Sequence, residues 1–235
     1  MRSAPRTRFA FPRIVLFALV FVLGGPARTF ADDADRSLSI YAVNIHQTPM
    51  QSWGPGYGIY LGKGLFITAA HVAGHAWWTR PKVAIKGHEF PTTVVKEGSF
   101  EGTDLTLLSV KEDLLPVALR LRRTPLCRGH PVPGTEVVTV VPEATVRSHI
   151  IAPERIPYGA RRFNTAISDV AKTGNSGSGV FDVERKCLMG IMSRKISQTV
   201  TLSKGPGPRQ QTRDIAKYFV PSSAIRDFIP PGVTF

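Results

Sequence analysis

The chain has 235 residues, 43% of them hydrophobic, with 30 Lys and Arg against 17 Asp and Glu and a net charge of +13. That is enough apolar material to bury a core, in a length that one all-β domain of the larger kind can fill. Such a charge attracts anionic partners, but the basic residues fall in separate clusters, Arg120/Arg122/Arg123, Arg161/Arg162 and Lys204/Arg209/Arg213/Lys217, without interleaved aromatics, which excludes a surface built for specific nucleic acid.

In chain order, Arg2, Arg6, Arg8 and Arg13 precede an apolar run over residues 14–23, and Thr29-Phe30-Ala31 offers small residues where a signal peptidase reads. The pattern predicts a secretory signal peptide over 1–31 and an exported protein, periplasmic or secreted, over 32–235. The apolar run falls short of the roughly 20 residues a membrane helix needs. Cleavage after Ala31 removes five arginines and no acidic residue, so the charge drops from +13 to +8.

Short β-branched runs follow, at 38–45, 58–61, 82–85, 93–95, 105–110, 137–141, 180–183, 188–192 and 217–220, separated by Gly, Pro, Asn and Asp clusters. Many short strands with regular turn signals predict a sandwich or barrel. One helical turn is expected after His71, and one short helix over 224–229, opened by Ser222-Ser223 and stopped by Pro230-Pro231. The arginine-rich stretch 120–125 reads as a connector between two groups of strands, about 36–120 and 125–229. The stretch 203–213 has almost nothing to bury and reads as an exposed loop. Cys127 and Cys187, the only cysteines, form either one disulfide, which an oxidising compartment favours, or two buried thiols.

Three motifs carry chemistry. Thr68-Ala69-Ala70-His71-Val72 comes first, then Thr103-Asp104-Leu105-Thr106-Leu107-Leu108, then Thr173-Gly174-Asn175-Ser176-Gly177-Ser178-Gly179-Val180-Phe181. The last puts a hydroxyl in a glycine-rich turn ahead of an apolar run. A serine hydroxyl is a poor nucleophile until a base takes its proton, and histidine has a suitable intrinsic pKa. The imidazole must present one nitrogen to the serine, so its other N–H needs a fixed acceptor, which Asp104 can be. Asp113 follows a strand in a charged loop and Asp169 sits too near the serine turn for that role. His71 and His75 are four apart, but the intervening residues lack the glutamate of H-E-x-x-H and no third ligand is evident, so no metal is expected.

The order His, Asp, Ser, with these words around each residue, resembles the trypsin/chymotrypsin superfamily of serine proteases. Its bacterial exported branches, HtrA/Deg-type enzymes and glutamyl endopeptidases, are closest in wording, and the resemblance runs from about residue 38 to 229. It implies an all-β fold of two packed six-stranded antiparallel barrels with a short C-terminal helix and a site between the barrels. It implies His71, Asp104 and Ser176 as a catalytic triad, an oxyanion hole from the backbone N–H groups of Gly174 and Ser176, and hydrolysis of a protein or peptide substrate through an acyl-enzyme, with no cofactor. Gly190-Ile191-Met192-Ser193 looks like the family strand that runs beside bound peptide, and Ser193 matches the serine that helps hold the aspartate. Nothing after the closing helix resembles a PDZ module, and a monomer is expected.

Several positions depart from the pattern. Asn175 stands where digestive enzymes carry the aspartate that pairs with a newly cut N-terminus, so no trypsin-like zymogen switch is expected. Ser178-Gly179 replaces Gly-Pro or Ser-Pro, which would loosen the wall beside the serine. In the substrate pocket the resemblance places Val170 at the base, with Met192, Ser193, Arg194 and Lys195 along the side. Val170 argues against cleavage after Lys or Arg and for a small or medium apolar residue. Met192 replaces the histidine of glutamyl endopeptidases. Lys195 would narrow the mouth or favour an acidic side chain. The competing expectation is a catalytically silent protein on the same scaffold, binding anionic partners through its basic surface.

Overall fold

The computed structural model describes residues 33–48, 56–168, 176–202 and 209–235. Thirteen strands among these residues form two antiparallel sheets. The first contains β1 (Ala42–His46), β2 (Gly56–Gly62), β3 (Leu65–Thr68), β4 (Lys82–Ile85), β5 (His88–Pro91), β6 (Thr93–Glu97) and β7 (Thr106–Ser109), in the order β5-β4-β1-β2-β3-β7-β6. The second contains β8 (Glu136–Val141), β9 (Ala144–His149), β10 (Ala166–Ile167), β11 (Gly179–Asp182), β12 (Leu188–Leu202) and β13 (Arg209–Pro221), in the order β10-β13-β12-β11-β8-β9. The first sheet thus has seven strands where six were expected. The extra one arises because residues 88–97 divide at Pro91-Thr92 into two strands on opposite edges of the sheet, one paired with β4 and the other with β7.

Period-2 alternation explains why the central strands are apolar on both faces. Tyr60 on β2, Phe66 on β3 and Leu108 on β7 point into the first sheet's own core. Their neighbours Ile59, Leu61, Ile67 and Leu107 face the other way. There they meet Val138, Val140, Phe181, Leu188 and Ile191 of the second sheet in a shared core. The intervening Val137, Val180, Met189 and Met192 fill the second sheet's own interior. Each central strand therefore buries one face within its sheet and the other against its partner.

The stretch before β1 departs from expectation. The run at 38–45 becomes strand only from Ala42; residues 33–41 are a helical turn followed by a 3-10 turn. Helical spacing lets Asp35 and Leu38 bury themselves on one side. Leu38 enters the shared core, and fully buried Asp35 accepts from Arg147 Nε at 2.6 Å and pairs with Lys186 Nζ at 3.2 Å. The closing helix spans Ser222–Phe228. Its Ser222 hydroxyl and Arg226 guanidinium donate to the Cys127 carbonyl at 2.8 and 2.7 Å. Cys127 and Cys187 form a disulfide with Cα atoms 5.0 Å apart. The expected loop at 203–213 is corrected over its second part: residues 209–213 belong to β13 and pair with β12. No helix among the described residues is long and apolar enough to cross a membrane.

Candidate active site

β3 and β7 are antiparallel partners, with Thr68 opposite Thr106. The chain just after Thr68 and the chain just before Thr106 therefore emerge at the same end of the sheet. The first enters a helical turn, Ala70–Ala73, that carries His71; the second carries Asp104. Small residues allow the turn to sit against the sheet: Ala69 and Ala73 are fully buried.

Asp104 is 2% exposed and accepts four hydrogen bonds. His71 Nδ1 lies 2.9 Å from Oδ2 and 3.1 Å from Oδ1, and the His71 backbone N–H donates to Oδ1 at 3.1 Å. Ser193 Oγ donates to Oδ2 at 2.5 Å. With Nδ1 as donor to a carboxylate, the neutral imidazole presents Nε2 as its free lone pair. Burial pushes the Asp104 carboxyl up. The hydrogen bonds from His71 and Ser193, the charge of His71 and its backbone N–H outweigh burial and hold the carboxyl below its ordinary value.

The serine turn is tied to both sheets. Ser176 O accepts from Tyr57 N at 2.9 Å, and Gly177 N donates to Met192 O at 2.8 Å. Gly177 has φ +82°, and a Cβ there would lie 1.8 Å from Tyr57 O. Only glycine lets the turn approach β2 this closely. Ser176 Oγ donates to Ser193 O at 3.4 Å; among the described residues no hydrogen bond joins it to the imidazole. Ser193 thus touches the carboxylate through its hydroxyl and the serine through its carbonyl.

The wall beside the serine is packed rather than loosened. Ser178 is fully buried and its carbonyl accepts from Met192 N at 2.9 Å. A Cβ on Gly179 would lie 2.7 Å from Ile59 Cδ1, so the absence of a side chain lets β11 close on β2.

A groove of about 510 Å³ runs beside Asp104, between the loop at 100–104, Arg162 and Phe163, Arg194 of β12 and the end of β13. Arg194 spans it. Its Cζ lies 3.9 Å from the Phe100 ring centre and 4.9 Å from that of Phe163. One Nη donates to Phe100 O at 2.5 Å, and Nε donates to Ser193 Oγ at 3.3 Å. Phe100 in turn meets His71 edge-on at 5.3 Å. Burial raises the pKa of the Tyr218 phenol at the groove floor, with Arg194 opposing and Asp104 adding to the shift.

A trypsin-like peptidase domain model matches residues 56–191, more than half of the chain. The chain belongs to the trypsin-like peptidase family. Solved structures with this fold include a serine endoprotease from Yersinia pestis at 20% identity and TM-score 0.54, aligned over 83% of this chain and 63% of that one. An HtrA-type protease, AlgW, solved with a tripeptide, aligns at 22% identity and TM-score 0.55 over 83% and 60%. A human pathogenic astrovirus serine protease aligns at 20% identity and TM-score 0.51 over 82% and 94%. The chain therefore spans less than two thirds of the length of the first two. At these identities the likeness is one of fold. No curated protein matches the chain significantly.

Within this trypsin-like domain, the positions expected to matter separate clearly. Asp104 joins His71 and Ser193 directly, and Ser176 reaches the same group through Ser193. Val170 and Gly174 lie outside the described residues, as does Asn175. Met192 is 2% exposed, its side chain inside the second core and its backbone pairing with the serine turn. Lys195, expected to narrow the pocket mouth or favour an acidic side chain, has its Nζ paired with Asp214 Oδ2 at 2.7 Å across the hairpin. His75 is exposed and bonded to Glu97 at 3.0 Å, and no three-residue metal-binding group occurs among the described residues. Phe100 escaped the sequence reading, although an aromatic four residues before Asp104 in an otherwise polar loop was a usable signal.

Proposed function

We propose that the protein is an exported serine endopeptidase that hydrolyses peptide bonds with His71, Asp104 and Ser176 through an acyl-enzyme. The carrying observation is the buried Asp104 carboxylate bonded to His71 Nδ1 at 2.9 Å, which leaves Nε2 as the imidazole's basic nitrogen.

In the first step Ser176 Oγ attacks the peptide carbonyl carbon while His71 Nε2 takes the hydroxyl proton. This requires the Ser176 hydroxyl to leave the Ser193 carbonyl, its partner at 3.4 Å, and turn to the imidazole. Asp104 stabilises the imidazolium. The tetrahedral oxyanion is bound by the N–H groups of Gly174 and Ser176, each worth about 3 kcal/mol. His71 then returns its proton to the departing amine, which breaks the C–N bond and leaves an ester on Ser176. Water, deprotonated by His71, attacks that ester; the acid product leaves and Ser176 Oγ regains its proton.

The residue before the cut is proposed to be small or medium apolar, from Val170; Lys195 is paired with Asp214 at 2.7 Å. The test is labelling of the protein by a fluorophosphonate probe, with Ser176→Ala as control. Covalent labelling lost in that variant supports the reading. A correctly folded wild type that neither labels nor cleaves a diverse peptide library leaves the scaffold as a binding protein. Export is tested by N-terminal sequencing of protein recovered outside the cytoplasm, which is expected to begin after Ala31.

A further inference from the structure

β12 and β13 pair with each other from Gly190 opposite Pro221 to Leu202 opposite Arg209. On its other edge, among the described residues, β12 has a strand neighbour only at its beginning. The last pairing with β11 is Gly179 opposite Ile191, after which Met192 exchanges bonds with Gly177 and Ser178. Among the described residues, no strand pairs with that edge from Ser193 to Leu202. An antiparallel strand directs its N–H and C=O groups alternately to its two sides. Half of those on residues 193–202 therefore face outward, forming a template for another strand.

Proteins usually blunt such edges with short strands, prolines or covering loops. Residues 193–202 contain no proline, and Gln198, Thr199, Val200 and Thr201 are exposed. The ribbon is stiffened across its own width. Asp214 holds both Lys195 and Ser197 at 2.7 Å, and Thr199 meets Thr212 at 3.0 Å. The free edge begins at the reacting serine, where Ser193 O lies 3.4 Å from Ser176 Oγ.

We propose that the outer edge of β12 is a docking track for an extended, unfolded polypeptide, which adds to the sheet as an antiparallel strand well beyond the positions beside Ser193 to Lys195. The inference rests on the peptidase reading and names its substrate class. The residue to be cut lies beside Ser193, and the substrate's N-terminal side runs toward Leu202. Strand residues advance at about 3.3 Å each on both chains, so the edge engages roughly ten substrate residues. Recognition beyond Ile196 is by backbone, and so is tolerant of sequence.

The experiment uses peptides identical around the cut, with three, six or ten residues before it, and a second ten-residue set N-methylated at alternate upstream amides. Binding is measured by anisotropy to the Ser176→Ala protein, and hydrolysis with the wild type. Affinity is expected to rise at least tenfold from three to ten residues, and one N-methylation register is expected to abolish the gain. Affinity that is flat with length, or indifferent to both registers, overturns the track even where hydrolysis proceeds. Length-dependent binding without any hydrolysis sinks the peptidase reading and leaves the track standing. A concentration-dependent dimer that the ten-residue peptide does not dissociate assigns the edge to a second copy and overturns the proposal.

Discussion

Arg194 lies flat on Phe100, its Cζ 3.9 Å from the ring centre, and through this contact β12 holds the loop that carries Asp104. The same guanidinium donates to Ser193 Oγ, whose own proton goes to Asp104. Arg194 therefore fixes which way the Ser193 hydroxyl points. Its stack also places Phe100 against the edge of His71.

Replacing Arg194 should accordingly disturb turnover more than folding. A hydrogen bond to a charged group is worth about 1.5–3 kcal/mol when buried; Arg194 is only half-buried, so about 1 kcal/mol is expected, or a roughly fivefold fall in kcat/KM. Arg194→Met keeps the apolar contact with Phe100 but loses both donated bonds. Arg194→Lys keeps the charge but lacks the planar fork and should recover little. Steady-state kinetics on one short peptide, with unfolding temperatures measured in parallel, checks this. Equal activity in all three proteins would show that Ser193 orients without help.

Ser193→Ala removes one of the bonds that offset the burial of Asp104. The carboxyl is held below its ordinary value in the folded protein. A depressed folded pKa gives stability that is fully present above the unfolded pKa of about 3.9 and is lost as pH falls through the folded value. In the variant the folded pKa moves up, so the gap narrows. The wild type should be the more stable of the two above about pH 4, with the difference shrinking in more acidic solution. Unfolding temperatures of both proteins from neutral pH downward read this directly. A difference that grows on acidification would contradict it. Turnover by the variant should fall about tenfold, as expected for one bond to a charged group near the reacting atoms.

Where residues lie near their own strand ends, the pairing of His71 with Asp104 was open to sequence reading. His71 follows β3 and Asp104 precedes β7, and each carries a recognisable local word because the strand beside it must be apolar. The two-sheet architecture was readable for the same reason, from short apolar runs with turns between them. The contact between Phe100 and Arg194 was not. Phe100 and Arg194 are 94 residues apart, and nothing near either one announces the stack. The arms of the long hairpin were also illegible. Residues 197–201 and 209–213 bury little, so the pattern of core-facing residues that marks other strands is missing. They are strands because they pair with each other. The β-branched look of residues 38–45 suggested strand throughout, but residues 33–41 form helical turns that bury Asp35 and Leu38 on one side.

The disulfide is expected to matter beyond the loop it closes. Cys127 and Cys187 enclose a 60-residue separation, which the chain-entropy model values at about 4 kcal/mol. The Cys127 carbonyl also receives the closing helix, through Ser222 and Arg226. The double variant Cys127→Ala/Cys187→Ala should therefore lose stability by about that amount, and protease nicking near residues 222–228 should accelerate before global unfolding. Denaturant unfolding with and without reductant measures the first, and mapping of cleavage sites the second. Unchanged midpoints on reduction would show that the packing of β12 against residues 126–127 suffices alone.

Gly177→Ala gives the sharpest test of how the serine turn is seated. The residue has φ +82°, where an L side chain costs about 1–2 kcal/mol. Conformational strain is the smaller part. The added Cβ would lie 1.8 Å from Tyr57 O and 2.6 Å from Thr68 Oγ1, and Thr68 Oγ1 itself donates to that carbonyl at 2.5 Å. Neither neighbour can retreat, because both belong to the paired strands β2 and β3. The turn must therefore lift away from the first sheet, taking Ser176 with it, while the His71–Asp104 pair stays in place. A displacement of about 1 Å at a reacting group can cost on the order of a hundredfold in rate. Fluorophosphonate labelling of the variant should fall by at least that factor, with β-sheet content by circular dichroism unchanged. Wild-type labelling rates in a folded Gly177→Ala protein would mean that the serine reacts from a turn seated differently from the one seen here.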